Sequence, residues 1–147
     1  MIIKRLILQF KYLTNEEVDL LSFKFLKRII DKWNLKTHNT IFVATKLGSS
    51  PDGSNNFMGY VKDTLHEIDD EWTPNKLFTS IEEAKNFLLI SPTKKSSRVK
   101  KIVLMDDFVG TGKTADERIK HLEDDLINLG VDIYFFAWQE WKKVLNF

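Results

Sequence analysis

The sequence contains no cysteine. Disulfides and thiolate metal sites are therefore excluded, and a cytoplasmic home is expected. No apolar run approaches the roughly 20 residues that span a bilayer. The N-terminal "MIIKRLILQFKYL" is broken by Lys4, Arg5 and Lys11 and has no small-residue cleavage site, so no signal peptide is expected. An excess of one charge is also missing. The formal net charge is +1, which gives no general pull towards nucleic acid or membrane. There is no internal repeat. His38, His66 and His121 are scattered without ligand spacing or a nearby nucleophile, and a structural or exposed role is expected for each.

What is present suits one globular domain over residues 1–147. Apolar residues make up 43% and charged residues 29% of a chain of 147, long enough for a real core. Residues 2–10 read as a strand. Thr14 and Glu17 have capping-box spacing before a helical run that ends near Asn34. "TIFVA" (40–44) is short, apolar and rich in β-branched residues, as a buried strand should be. "TKLGSSPDGSNN" has the composition of a loop, and a helix is expected over 57–68. "DDEWTPNK" reads as irregular. Ser80 and Glu83 form a second capping box before "IEEAKNFLLI". "SPTKKSSRVK" is polar and basic and reads as a mobile loop. "KIVLMD" (101–106) is the clearest strand. A tight turn follows, and then a helix with Ile119, Leu122, Leu126 and Leu129 on one face and Gly130 as its stop. "VDIYFFAW" is a last strand and "QEWKKVL" a short terminal helix. Strands alternating with helices predict an α/β fold: an open, mostly parallel twisted sheet with flanking helices.

The chemistry concentrates in "KIVLMDDFVGTGKT". A buried strand, a glycine turn and a helix start make an anion site, because the first N–H groups of a helix lack internal partners and carry partial positive charge. Gly110 and Gly112 let the backbone curl, and Thr111 and Thr114 add hydroxyl donors. A plain strand-to-helix turn with a capping threonine is the bland alternative. "GTGKT" alone would suggest an ATPase phosphate loop. That motif needs glycine five positions before Gly112, where Asp107 stands, and a later strand ending in an acid, where "FFAW" stands. Asp106 and Asp107 instead lie at the carboxyl end of the strand, the edge at which open α/β sheets bind ligands. Carboxylates accept hydrogen bonds and ribose hydroxyls donate them, so the pattern suits a sugar phosphate.

From Ile102 to Thr114, "IVLMDDFVGTGKT" resembles the phosphoribosyl pyrophosphate (PRPP) motif of type I phosphoribosyltransferases. In that motif four apolar residues precede two acids, two mostly apolar residues and a small or acidic one, and Thr-Gly-Gly/Lys-Thr closes it. The match covers thirteen residues of 147. The resemblance implies that Gly110, Thr111, Gly112, Lys113 and Thr114 hold the 5′-phosphate. It implies that Asp106 and Asp107 contact the ribose hydroxyls, as catalytic residues near magnesium and in reach of it through water. Lys113 also reads as an exposed first-turn lysine. Gly110 stands where hypoxanthine-guanine enzymes of the family have an aspartate, so that purine-facing acid is missing.

The rest of the chain is arranged compatibly. The family's pyrophosphate loop would fall on Lys46, Leu47, Gly48 and Ser49, with Lys46 as the cation; an ordinary loop is the alternative. The stretch carrying Lys94, Lys95, Arg98, Lys100 and Lys101 is placed to close over PRPP, or is simply solvated. Trp138 and Gln139 follow the last strand, where the family often contacts the nucleobase, although core packing is the commoner use of such a tryptophan. The chain ends soon after that strand, so part of the usual C-terminal region is expected to be missing. No catalytic base stands out. The expected function is magnesium-dependent transfer of phosphoribose to a nitrogenous base with release of pyrophosphate. The acceptor base is open, a homodimer is allowed, and neither membrane nor nucleic acid is an expected partner. The alternative is a catalytically silent PRPP or nucleotide sensor or effector, of the kind found in bacterial defence systems. A P-loop NTPase stands third.

Overall fold

In a computed structural model, residues 15–45, 53–90, 98–106 and 113–137 are described. Their elements are α1 (Asn15–Lys32), β1 (Thr40–Ala44), α2 (Gly53–Ile68), β2 (Leu77–Phe78), α3 (Ile81–Lys85), β3 (Lys101–Asp106), α4 (Lys113–Leu126) and β4 (Asp132–Ala137). The four strands form one open sheet in the order β2-β1-β3-β4, and every pairing is parallel. The fold is therefore the α/β arrangement that the alternation of strands and helices predicts. The expected N-terminal strand, the expected C-terminal helix and residues 91–97 of the expected loop 91–100 lie outside the described residues. Of the rest of that loop, Val99 is buried and Lys100 N–H donates to the Asn39 carbonyl at 2.8 Å, so its end is not mobile as expected. Among the described residues no helix is long and apolar enough to cross a membrane.

The sheet is buried on both faces, which explains why its central strands are continuous apolar runs rather than alternating ones. All five residues of β1 are buried. Phe42, Ala44, Val103, Met105 and Phe136 pack against Leu26 and Ile29 of α1 and Met58, Val61 and Leu65 of α2. On the opposite face Ile41, Val43, Ile102 and Leu104 meet Ile81 and Ala84 of α3 and Leu122 and Leu126 of α4. Aromatic pairs fix the first face: Phe25 stacks on Phe136 at 4.7 Å, and Phe42 meets the edge of Trp72 at 5.3 Å.

The helix ends follow their local chemistry. Asn34 takes the left-handed conformation at φ 48° just beyond α1. Leu35 N–H then donates to the Ile30 carbonyl at 2.9 Å and Asn34 N–H to Asp31 at 3.2 Å, satisfying carbonyls that a helix end leaves open. At α3 the Ser80 hydroxyl accepts from Glu83 N–H at 3.2 Å, as the capping spacing predicts. The Glu83 carboxylate turns to the N–H and hydroxyl of Thr79 at 2.9 Å. After α3 the chain widens into a π-helical turn, Asn86–Ile90.

Four expectations need correction. Helix α2 begins at Gly53, four residues before the predicted start, because the Gly, Ser and Asn of a loop are also good residues for the start of a helix. The segment read as irregular contains a 3-10 turn, Pro74–Lys76, and runs into the short strand β2. Leu129 is exposed, since the chain tightens into a 3-10 turn at Ile127–Leu129 and carries it off the apolar stripe of Ile119, Leu122 and Leu126. Lys101 is not a free loop cation: it starts β3, and its ammonium is bound to the carbonyls of Trp33 and Asn34. Gly130 does end the helical stretch, in the left-handed conformation at φ 60°.

Candidate functional site

The topology locates a crevice. The helix after β1, α2, covers one face of the sheet, whereas the helix after β3, α4, covers the other. Neighbouring parallel strands whose connections leave to opposite faces part at their carboxyl ends, and ligands of open α/β sheets bind there. Strands β1 and β3 are such a pair, in register from Thr40↔Lys101 to Ala44↔Met105. Thr45 N–H extends this ladder, donating to the Met105 carbonyl at 3.0 Å. Thr45 and Asp106 thus stand side by side at the mouth of the crevice.

A third residue joins them. Arg118 lies on α4 four positions before Leu122, on the stripe that faces the sheet. Its Nη1 donates to Thr45 Oγ1 at 2.8 Å. The same nitrogen is 3.5 Å from Asp106 Oδ2, an ion-pair distance longer than a well-formed hydrogen bond. Both side chains are largely shielded, with 21% of Arg118 and 14% of Asp106 exposed. Arg118 Nε is buried and has no hydrogen-bond partner among the described residues. Sequence reading missed Arg118. The signal it offered was a cation on an apolar helical stripe, one turn from the motif.

The other expected site residues divide into two groups. Asp107, Gly110, Thr111, Gly112, Lys46, Leu47, Gly48, Ser49, Trp138 and Gln139 lie outside the described residues. Lys113 and Thr114 form the start of α4. Strand β4 ends at Ala137, paired with Asp106, so the segment that follows leaves from the same edge. Thr45, Asp106 and Ala137 thus stand together at the carboxyl edge of the sheet.

His38, His66 and His121 are all exposed. Among the described residues no group of three or more His, Cys, Asp or Glu could hold a metal ion. Among the described residues, Asp106 is the carboxylate at the β1–β3 crevice; magnesium commonly binds through one or two carboxylates together with phosphate oxygens of a substrate.

The family model PRTase-CE, a phosphoribosyltransferase-type domain, matches residues 2–145. Neither a curated protein nor a solved structure matches the chain.

Proposed function

The chain belongs to the PRTase-CE family, and from that premise we propose that it binds PRPP with magnesium at the β1–β3 crevice and transfers the phosphoribosyl group to a nitrogenous base. One observation carries the reading: Asp106 ends a central parallel strand at the point where the β1 and β3 connections diverge. A carboxylate in that place is set to accept hydrogen bonds from ribose hydroxyls.

In this reading Asp106 and Asp107 hold the 2′ and 3′ hydroxyls. Backbone N–H groups of residues 110–114 hold the 5′-phosphate, at the start of α4. Lys46, Leu47, Gly48 and Ser49 grip the pyrophosphate, with the Lys46 ammonium opposing its charge. As the C1–O bond breaks, its electron pair leaves with pyrophosphate and C1 becomes oxocarbenium-like. A base nitrogen then bonds to C1 and gives up its proton. In this reading Trp138 and Gln139 contact that base. Fixed geometry supplies most of the acceleration. Magnesium, held by Asp106 and Asp107 and the substrate's own oxygens, would supply positive charge to the departing diphosphate.

A second reading is binding without transfer, as a sensor or effector. The described crevice residues, a hydroxyl, a carboxylate and a guanidinium, can bind a sugar phosphate in either reading.

The test is a thermal-shift titration with PRPP–magnesium, ribose 5-phosphate and ATP, on wild type and on Asp106→Asn/Asp107→Asn, followed by a pyrophosphate-release assay with a panel of bases. Ligands that bind the native state raise its melting point. PRPP should stabilise the wild type and fail to stabilise the double variant. A shift that survives both substitutions, or none in the wild type, overturns the ribose assignment. A shift without pyrophosphate release selects the second reading.

A further inference from the structure

We propose that Arg118 is the charge-compensating and positioning residue of this crevice, the group that makes an acid-lined site acceptable to a polyanionic sugar phosphate. The inference rests on the PRPP reading and adds to it a residue outside the motif.

An electrostatic difficulty motivates it. Two successive carboxylates, Asp106 and Asp107, suit the hydroxyls of ribose. The ligand also carries phosphate and diphosphate, and like charges within a few ångströms repel strongly where water is partly excluded. A site of this kind needs a cation fixed near the acids. Arg118, 3.5 Å from Asp106, is such a cation.

Position is the second argument. Thr45 follows the last residue of β1, and Asp106 is the last residue of β3, so both stand at the carboxyl edge of the sheet. Arg118 touches both through one nitrogen, 2.8 Å from Thr45 and 3.5 Å from Asp106. It therefore ties the end of β1 to the end of β3, the two strand ends that flank the crevice.

Local energetics supplies a third. On a stripe that otherwise carries Ile119, Leu122 and Leu126, a cation is the exception. Arg118 leaves Nε buried and unpaired among the described residues, which costs stability. A simple structural tie between two strands would be better made by fully paired groups. An under-satisfied guanidinium at a ligand edge is the pattern of a side chain kept for its charge.

The experiment measures PRPP–magnesium and ribose 5-phosphate affinity by calorimetry on wild type, Arg118→Gln, Arg118→Lys and Thr45→Val, beside the melting point of each unliganded protein. Arg118→Gln should weaken PRPP at least about tenfold and ribose 5-phosphate less, because the latter carries less charge, and the deficit should shrink as salt rises. Arg118→Lys should recover PRPP to within about threefold of wild type, since it restores the cation though not the fork. Thr45→Val keeps nearly the same shape while removing the 2.8 Å partner, and should weaken PRPP about threefold through looser placement of the guanidinium. A purely structural arginine would lower the unliganded melting point of both Arg118 variants and leave PRPP affinity within twofold of wild type; that result overturns the proposal alone. If Arg118→Gln does not fold, an unchanged affinity in Thr45→Val overturns it. A wild type that fails to bind PRPP overturns the parent reading, and this inference falls with it.

Discussion

The ammonium of Lys101 lies 2.7 Å from the carbonyl oxygen of Trp33 and 3.0 Å from that of Asn34. The first residue of β3 thus closes the C-terminus of α1, where a cation also meets the negative end of the helix dipole. The Trp33 ring stacks on Tyr134 at 4.9 Å, and the Lys101 ammonium sits 6.0 Å from the Tyr134 ring centre. Helix α1, β3 and β4 are joined at one corner.

Lys101→Met should therefore destabilise the protein by about 1–3 kcal/mol, the scale of charged hydrogen bonds to carbonyls. PRPP affinity should not change, because Lys101 is at the opposite end of β3 from Asp106, about 16 Å away at strand rise. Urea unfolding and a ligand titration on the same variant check both halves. A loss of PRPP affinity at unchanged stability would return Lys101 to the ligand-binding role expected of a loop cation.

Two glycines should respond with opposite signs. Gly130 has φ +60°, and a Cβ there would meet nothing within 4 Å, so Gly130→Ala pays only backbone strain, about 1 kcal/mol. Gly59 lies within α2 and is exposed, and its Cβ would also meet nothing within 4 Å. Gly59→Ala should stabilise by about 0.5–1 kcal/mol through helix propensity and a less flexible unfolded chain. Paired thermal melts read the two signs directly.

Asp125 pairs with Lys85, and His121 lies 3.4 Å from the same ammonium. The hydrogen bond from Lys85 holds the Asp125 carboxyl below its ordinary value of 3.8, with the nearby charges adding to the effect and desolvation opposing it. A lowered folded-state value means that the stabilisation is present above pH 3.8 and disappears as pH falls through the folded-state value. Lys85→Met should accordingly melt below wild type at neutral pH, and the gap should close in acid and in high salt. A gap independent of both would mean that Lys85 contributes through packing.

Chelation provides a functional check. Removing magnesium with EDTA should reduce the PRPP-induced melting shift by more than half, while the unliganded melting point stays where it was. The fold draws on no described metal cluster, and the ion's expected partners include the ligand's own oxygens.

Strands β1 and β3 were legible to the residue, because each is a short apolar run with turn chemistry after it. The start of α2 was not, because Gly53 to Asn56 suit both a loop and a first helical turn. Two residues, Leu77 and Phe78, contain no alternation from which to infer a strand. The position of Asp106 at the end of β3 was readable from local order alone. Arg118 was not, since its partners are 73 and 12 positions away and only the packing of α4 across the sheet brings them together.

The register of the central strands also sets a timetable. Thr40 pairs with Lys101, 61 positions later by their numbers, and α2, β2 and α3 intervene. Non-local parallel pairing must close this long loop before its contacts stabilise anything, which makes it slow. Arg118 is supplied later still, by the helix beyond β3. In refolding followed at once by circular dichroism and by a fluorescent PRPP analogue, helical signal should return before ligand capacity, which should rise only in the slowest phase. On the ribosome, too, a chain of this sequence would remain unable to hold its ligand until α4 had emerged.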